Sequence, residues 1–514
     1  MKFSKLFLFA LFLTTFQIAQ SAPSVAQTNI AEKKIETLAE FQTRLQKIVA
    51  QPRFAAAALG IKVESLDTGK IIFEHNADKL LKPASNAKMY TGALALDRLG
   101  PNYKIKTSFY ATAKPDSSGT IEGDLIVYGR GDPSLSARFH HENYEAALQQ
   151  LADALISAGV KKINGNLIGD ESFFKGAPFG EGWSWDDLQF YYGAEASALS
   201  LQDNVVDLVF KPGEKIGAAC KIIMKPETTF LVFSNRTQTL ARGGKSAIEI
   251  YRPVGENIIY VSGNVALNNS VSDAVSVHNP ALWFVTMLKE TLAKRGVALT
   301  GEVHAKNWLD REVAPLDFGK MVEVAFVESK PMSELVKGMM KPSQNLYAHL
   351  LLLQVGEKTR AVNSKTQTSA EAGLLEMKKF LSEAGIKKGD VLLEEGSGLS
   401  RGALLKPSAS VSLLKYMRKH RDAEIFYNAL PIAGVDGTLK NRFKGTAAEK
   451  NIHAKTGTIR YVNSISGYVT SAAKEHLVFS IMFNNYNGAD GREQSDAIAA
   501  MLADLAVRTE GKMD

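Results

Sequence analysis

His453-Ala454-Lys455-Thr456-Gly457-Thr458 reads as a strand, and two more strand-like runs follow it, Tyr461 to Val469 and Leu477 to Phe483, joined by a polar turn. A Lys-Thr-Gly strand carries information only in company, and its company stands upstream in a fixed order: Ser85-Asn86-Ala87-Lys88, then Ser343-Gln344-Asn345. S-x-x-K, S-x-N and K-T-G in that order point to covalent acyl transfer by a serine. Each tripeptide alone is weak. S-x-x-K recurs at Ser172-Lys175, Ser412-Lys415 and Ser471-Lys474, and S-x-N recurs at Ser262-Asn264, whereas K-T-G occurs once.

Local context separates the copies. Pro83 can open a helix, and Met89, Ala93, Leu96 and Leu99 follow at helical spacing until Gly100 closes it, so Ser85 and Lys88 fall one turn apart on one face. A serine hydroxyl is a poor nucleophile until a base takes its proton, and an amine with a lowered pKa can do so. Lys88 is that base by position. Ser412 instead falls inside a helix, and Ser471 to Lys474 in a polar turn. Ser343 sits in a Gly338-to-Pro342 break between the helical stretches Met332–Met339 and Leu346–Val355, placed to relay a proton. Asn345 can grip a peptide amide or cap the following helix. Gly457 leaves room for substrate backbone, and the Thr458 amide can share an oxyanion hole with that of Ser85. Lys455 adds positive charge, and the Thr456 and Thr458 hydroxyls suit a free carboxylate.

With these motifs the chain resembles the class C low-molecular-mass penicillin-binding proteins. Gly129-Arg-Gly-Asp-Pro-Ser-Leu135, Ala196-Ser-Ala-Leu-Ser-Leu201, Gly396-Ser-Gly-Leu-Ser-Arg401 and Gly434-Val-Asp-Gly-Thr438 add to the resemblance, which departs at Glu395, where an aspartate is expected. The resemblance implies an α+β fold: a penicillin-binding, β-lactamase-like transpeptidase domain with a large β-rich two-domain insertion. It implies D-alanyl-D-alanine carboxypeptidase and endopeptidase activity on peptidoglycan stem peptides, with β-lactams as covalent inhibitors. It also implies an acidic residue of the insertion facing the diaminopimelate amine. Asp170, in Gly169-Asp-Glu-Ser-Phe-Phe174 with Trp183 and Trp185 just beyond, occupies the matching stretch; a plain turn aspartate is the other reading.

The stretch from Ser85 to Ser343 is more than twice as long as that from Ser343 to Lys455, too long for one compact domain. Short β-patterned runs and one helix, Tyr144 to Ala158, fill it. The expected organisation is a leader at 1–21, a catalytic domain in two pieces, 30–103 and 278–514, and an insertion at 104–277 of two small β-rich domains.

The 514 residues are 45% hydrophobic, ordinary for a globular chain of several units. Lys2 and Lys5 precede an apolar run from Leu6 to Phe16, with small residues at Ala19-Gln20-Ser21, so export to the periplasm or wall space is expected, with no other run apolar enough to span a bilayer. The formal charge of +7 is too modest to suggest nucleic acid. Cys220 is the only cysteine, which excludes an internal disulfide. No metal or cofactor is called for. Two other functions remain open. Gly398-Leu-Ser400-Arg-Gly402, followed by Asp436 and His453, matches an esterase pattern without its strand–turn–helix context. The fold can also serve as a wall-binding scaffold with little turnover, although the reactive motif residues are intact.

Overall fold

The computed structural model describes residues 36–361, 367–486 and 490–509; the leader expected at 1–21 lies outside them. The motif strand His453–Ile459 is the edge of a five-stranded antiparallel sheet whose order continues through Val462–Thr470, His476–Asn484, Ala58–Ser65 and Ile71–His75. The hairpin expected after the motif is therefore present, and its second strand pairs with a strand from the far end of the chain, Ala58 opposite Asn484. Long apolar side chains alternate on the two faces of this sheet, which is buried on both. On one side Phe41 and Leu45 of helix Leu38–Val49 and Ile498 and Leu502 of helix Asp490–Asp504 pack against Ile61, Phe479 and Ile481. On the other, Tyr468, Val478 and Met482 meet a cluster of helices: Ala87–Leu99, Met332–Met340, Asn345–Thr359, Ser369–Glu383 and Pro407–Arg418.

The helix Ala87–Leu99 is buried along nearly all its length, and Gly100, at φ 82, ends it where a side chain would be strained. Both helices flanking Ser343 form where expected, as Met332–Met340 and Asn345–Thr359. Ser412 lies within Pro407–Arg418, and Ser471 to Lys474 forms the turn between two strands of the main sheet.

The inserted stretch does not end at 277 in its packing. Val322–Glu328 pairs with Lys106–Ala111, so the chain leaves and re-enters the catalytic sheet's domain on two neighbouring antiparallel strands, and residues 278 to about 328 go with the insertion. The reason is packing: helix Pro280–Lys294 buries Trp283, Phe284 and Leu288 in the insertion's core, not against the catalytic helices. That core is one contiguous cluster. It joins a five-stranded mixed sheet, ordered Val303–Lys306, Leu167–Asp170, Leu125–Tyr128, Lys106–Ala111 and Val322–Glu328, to two three-stranded sheets built from residues 205–276. The helix expected at 144–158 forms as Ala146–Ser157 and covers the same core, where Cys220 is also buried. Among the described residues, no helix is long and apolar enough to cross a membrane.

Trp283 is fully buried and its Nε1 donates to Thr228 Oγ1 at 3.2 Å. Trp283→Ala is expected to cost about 3–5 kcal/mol, seen as a lower thermal unfolding midpoint by circular dichroism.

Candidate active site

Pro83 and a 3-10 turn, Ala84–Asn86, lead into the helix that carries Lys88. Ala84 has φ 47, and Ser343, in the break between its two helices, has φ 66. Left-handed backbone costs a non-glycine residue about 1–3 kcal/mol and persists only where surrounding structure enforces it. Both strained turns present a serine to the same point.

Lys88 is fully buried, and its Nζ is 2.8 Å from Ser85 Oγ, 2.6 Å from Asn345 Oδ1 and 2.8 Å from the Ser397 carbonyl. Burial pushes its pKa down to about 7, with the Glu395 carboxylate opposing. The amine is thus poised between its two protonation states near neutral pH. Asn345 Oδ1 and the Ser397 carbonyl can only accept hydrogen bonds. In the neutral amine both N–H groups go to them, and the lone pair is left facing the Ser85 hydroxyl.

Lys455 is buried as completely and donates to Ser343 Oγ and to the Thr456 carbonyl, each at 2.8 Å. Burial holds its pKa well below the ordinary lysine value, and the positive charges of Lys88 and Arg442 push the same way. Two serine–lysine pairs therefore face one another.

Gly457 explains why the strand comes so close. A Cβ there would lie 2.6 Å from the Pro83 carbonyl and 2.8 Å from the Ser85 amide nitrogen, so only glycine lets the strand edge pack on the turn that carries Ser85. Thr456 Oγ1 is 2.7 Å from Thr438 Oγ1, and the Thr458 side chain is exposed beyond it. The Gly434–Thr438 segment acts as a brace: Lys341 Nζ donates to Asp436, and Thr438 N donates to the Lys341 carbonyl two residues before Ser343.

Eight of the nine residues named from sequence converge here. Asn345 does so in a different way from that expected. Its Oδ1 holds Lys88 and its Nδ2 donates to the Tyr192 carbonyl at 2.8 Å, so it fixes the Lys88 amine and ties down an insertion loop, and it makes no side-chain cap. Asp170 departs further. It is completely buried, its Oδ2 accepts from Arg311 Nε at 2.6 Å and its Oδ1 from the Ser172 amide, which leaves no open carboxylate for a substrate amine. The esterase constellation does not assemble. Ser400 is buried and donates to Glu394, His453 stacks on Tyr427 with ring centroids 4.1 Å apart, and Asp436 is paired with Lys341.

Sequence reasoning missed three contributors. The Ser397 carbonyl is backbone and has no side-chain signature, though it lies in a segment already singled out. Thr438 belongs to another such segment. The loop Trp185–Tyr192 borders the site through Asn345 and through the Asp187–Arg401 ion pair, and it exposes Trp185, Asp186 and Tyr191. A cavity of about 1010 Å³ opens elsewhere, between the insertion and the helices Asn345–Thr359 and Ser369–Glu383, lined by Phe174, Glu195, His278 and Trp308 among others. None of the three motifs lines it.

A serine at a strained helix start, a buried lysine, a second serine–lysine pair and a glycine-relieved edge strand define a penicillin-binding type of serine acyl-transfer site. Over residues 41–505 the chain matches the model of the D-Ala-D-Ala carboxypeptidase 3 (S13) family, and it belongs to that family. It is 31% identical to the D-alanyl-D-alanine carboxypeptidase of Actinomadura sp. (strain R39), over 94% of this chain and 88% of that one. The crystal structure of penicillin binding protein 4 (dacB) from Haemophilus influenzae superposes with a TM-score of 0.76 at 26% identity, covering 89% of this chain and 99% of that one. The same protein complexed with a β-lactam superposes at 0.70, with 24% identity over 89% and 98% of the two chains. The family and fold class expected from the motifs are borne out.

Gly457→Ala is expected to slow acylation by a fluorescent penicillin about 100- to 1000-fold, the usual effect of losing one oxyanion donor, because the added methyl displaces the strand edge from Ser85. The second-order labelling rate checks this, with the unfolding midpoint as control.

Proposed function

We propose that this protein is a serine-type D-Ala-D-Ala carboxypeptidase and endopeptidase that trims stem peptides or opens cross-links of peptidoglycan through an acyl-enzyme, and that β-lactams acylate the same serine. The observation that carries this reading is Lys88 Nζ, buried and 2.8 Å from Ser85 Oγ. Neutral Lys88 takes the Ser85 proton as Oγ bonds to the carbonyl carbon of the penultimate D-alanine. The amides of Ser85 and Thr458 receive the oxyanion. As the C–N bond breaks, the leaving amine takes a proton passed through Ser343 and Lys455. Water then attacks the ester, with Lys88 again accepting a proton, and frees the stem peptide and Ser85. Beyond the Ile432–His453 bridge, the outer edge of strand His453–Ile459 offers backbone groups to an extended peptide. The carboxylate of a terminal D-alanine meets Lys455 and the Thr456 and Thr458 hydroxyls. The charged-then-apolar leader supports action outside the cytoplasm.

The stem-peptide amine needs a free carboxylate, and Asp170 has none to give. Asp186 does: it is exposed on the loop that Asn345 anchors, between the exposed rings of Trp185 and Tyr191. We assign amine recognition to Asp186.

Ser85→Ala is expected to abolish covalent penicillin labelling, read by intact mass, while Ser400→Ala labels as wild type; loss of label only in the Ser400 variant restores the esterase reading. Asp186→Asn is expected to raise KM about tenfold for a peptide with a free side-chain amine, with no change on the N-acetylated peptide. Equal effects on both peptides would remove Asp186 from the amine site.

A further inference from the structure

The segment Glu394 to Arg401 does more than supply a carbonyl. Thr91 Oγ1 donates to the Gly396 carbonyl at 2.6 Å, and Gly398, at φ 81, packs so tightly that a Cβ would fall 2.0 Å from the Ala84 carbonyl. Inside this turn lies Glu395, only 1% exposed. Its Oε2 accepts from the Ser397 amide at 2.6 Å, and its Oε1 accepts from the Gly398 amide at 2.5 Å and more weakly from the Ser400 amide at 3.4 Å. Among the described residues no ion pair includes it. A buried carboxylate without an ion-pair partner is costly, and these three amides, all from one short loop, offset that cost.

The charges around it are lopsided. Lys88 and Lys455 are both fully buried, and Arg442 adds further positive potential at Lys455. His349, one helical turn beyond Asn345, is buried as well, with Nδ1 unpartnered; burial lowers its pKa and Glu395 opposes. Glu395 is the anion that acts on both Lys88 and His349. Ser85, Asn345 and Ser343, the other side chains converging on the two lysines, carry no charge.

We propose that Glu395 is the positioning residue of the general base: it clamps the loop so that the Ser397 carbonyl holds Lys88 Nζ, and its negative charge keeps the buried amine basic enough to take the Ser85 proton. Glu395 itself takes no proton; the proton leaving Ser85 Oγ lands on Lys88 Nζ. This rests on the reading of Lys88 as base. A neutral amine in an apolar pocket hydrogen-bonds well but is a weak base, and a nearby buried anion raises its proton affinity without touching the substrate.

The test is the pH dependence of the second-order rate of acylation by a fluorescent penicillin for wild type, Glu395→Gln and Glu395→Asp, with the unfolding midpoint of each. Wild-type acylation should rise with pH through about 7 as Lys88 loses its proton. Removing the negative charge lowers the Lys88 pKa further, so in Glu395→Gln the acid limb moves to lower pH and the plateau falls at least about tenfold. A folded Glu395→Gln enzyme whose acid limb does not move overturns the proposal and leaves Glu395 a loop brace. Should that variant not fold, Glu395→Asp decides. Its charge is retained but drawn back by one methylene from the Ser397 and Gly398 amides, so the acid limb should stay near the wild-type pH, and a folded Glu395→Asp enzyme whose acid limb moves about one pH unit or more overturns the proposal. Failure of the wild type to label at all, or labelling that survives Ser85→Ala, would instead refute the underlying serine reading.

Discussion

The structure is organised around one buried amine. Lys88 Nζ is reached by Ser85 from its own helix turn, by Asn345 from the start of another helix and by the Ser397 carbonyl from a loop, and these contacts span 257 and 309 residues of sequence. Burying an ammonium that could instead be hydrated is unfavourable unless every N–H finds an acceptor. Each of the three segments is consequently fixed by further contacts: Gly398 against Ala84, Gly457 against Pro83, and Gly437 against the Lys341 backbone. The glycines are there because the segments must touch backbone to backbone. Catalytic geometry and fold stability are held by the same close approaches.

A second constraint is that Lys455 stands opposite Lys88, so that two ammonium groups share one interior. The charge on Lys88 works with burial to weaken Lys455 as a base, and protonating one makes protonating the other harder. During a catalytic cycle this coupling favours passing a single proton between the two serine–lysine pairs over charging both at once. The carboxylate-binding role proposed for Lys455 fits the same logic, since an incoming anion stabilises its charged form.

Much of this was legible in the sequence because it is encoded by spacing. Ser85 and Lys88 share a helix face at a start marked by Pro83, and K-T-G begins a strand followed by two strand-like runs joined by a polar turn. What was hidden depends on partners far along the chain. Asp170 looks available until Arg311, 141 residues later, is seen to neutralise it. Asn345 reads equally as a cap or a ligand, and only the positions of Lys88 and Tyr192 choose otherwise. The far edge of the insertion was misplaced because helix Pro280–Lys294 carries an ordinary amphipathic pattern that does not say which core it serves. The Ser397 carbonyl has no residue-type signal at all, although the Gly-Ser-Gly around it marks a tight backbone.

The pairing of Ala58–Ser65 with His476–Asn484 joins segments more than 400 residues apart, and the loop so closed contains the whole insertion. Closing a loop of that length carries a large entropic cost that must be met before the contacts it brings can form. The insertion, whose entry and exit strands Lys106–Ala111 and Val322–Glu328 already lie side by side, can fold first and shorten that loop to the reach of its own stem. The reactive centre is then the last part of the molecule to be assembled, after the final strand has been delivered, so a chain that is still folding carries Ser85 without the pocket that later encloses Lys88.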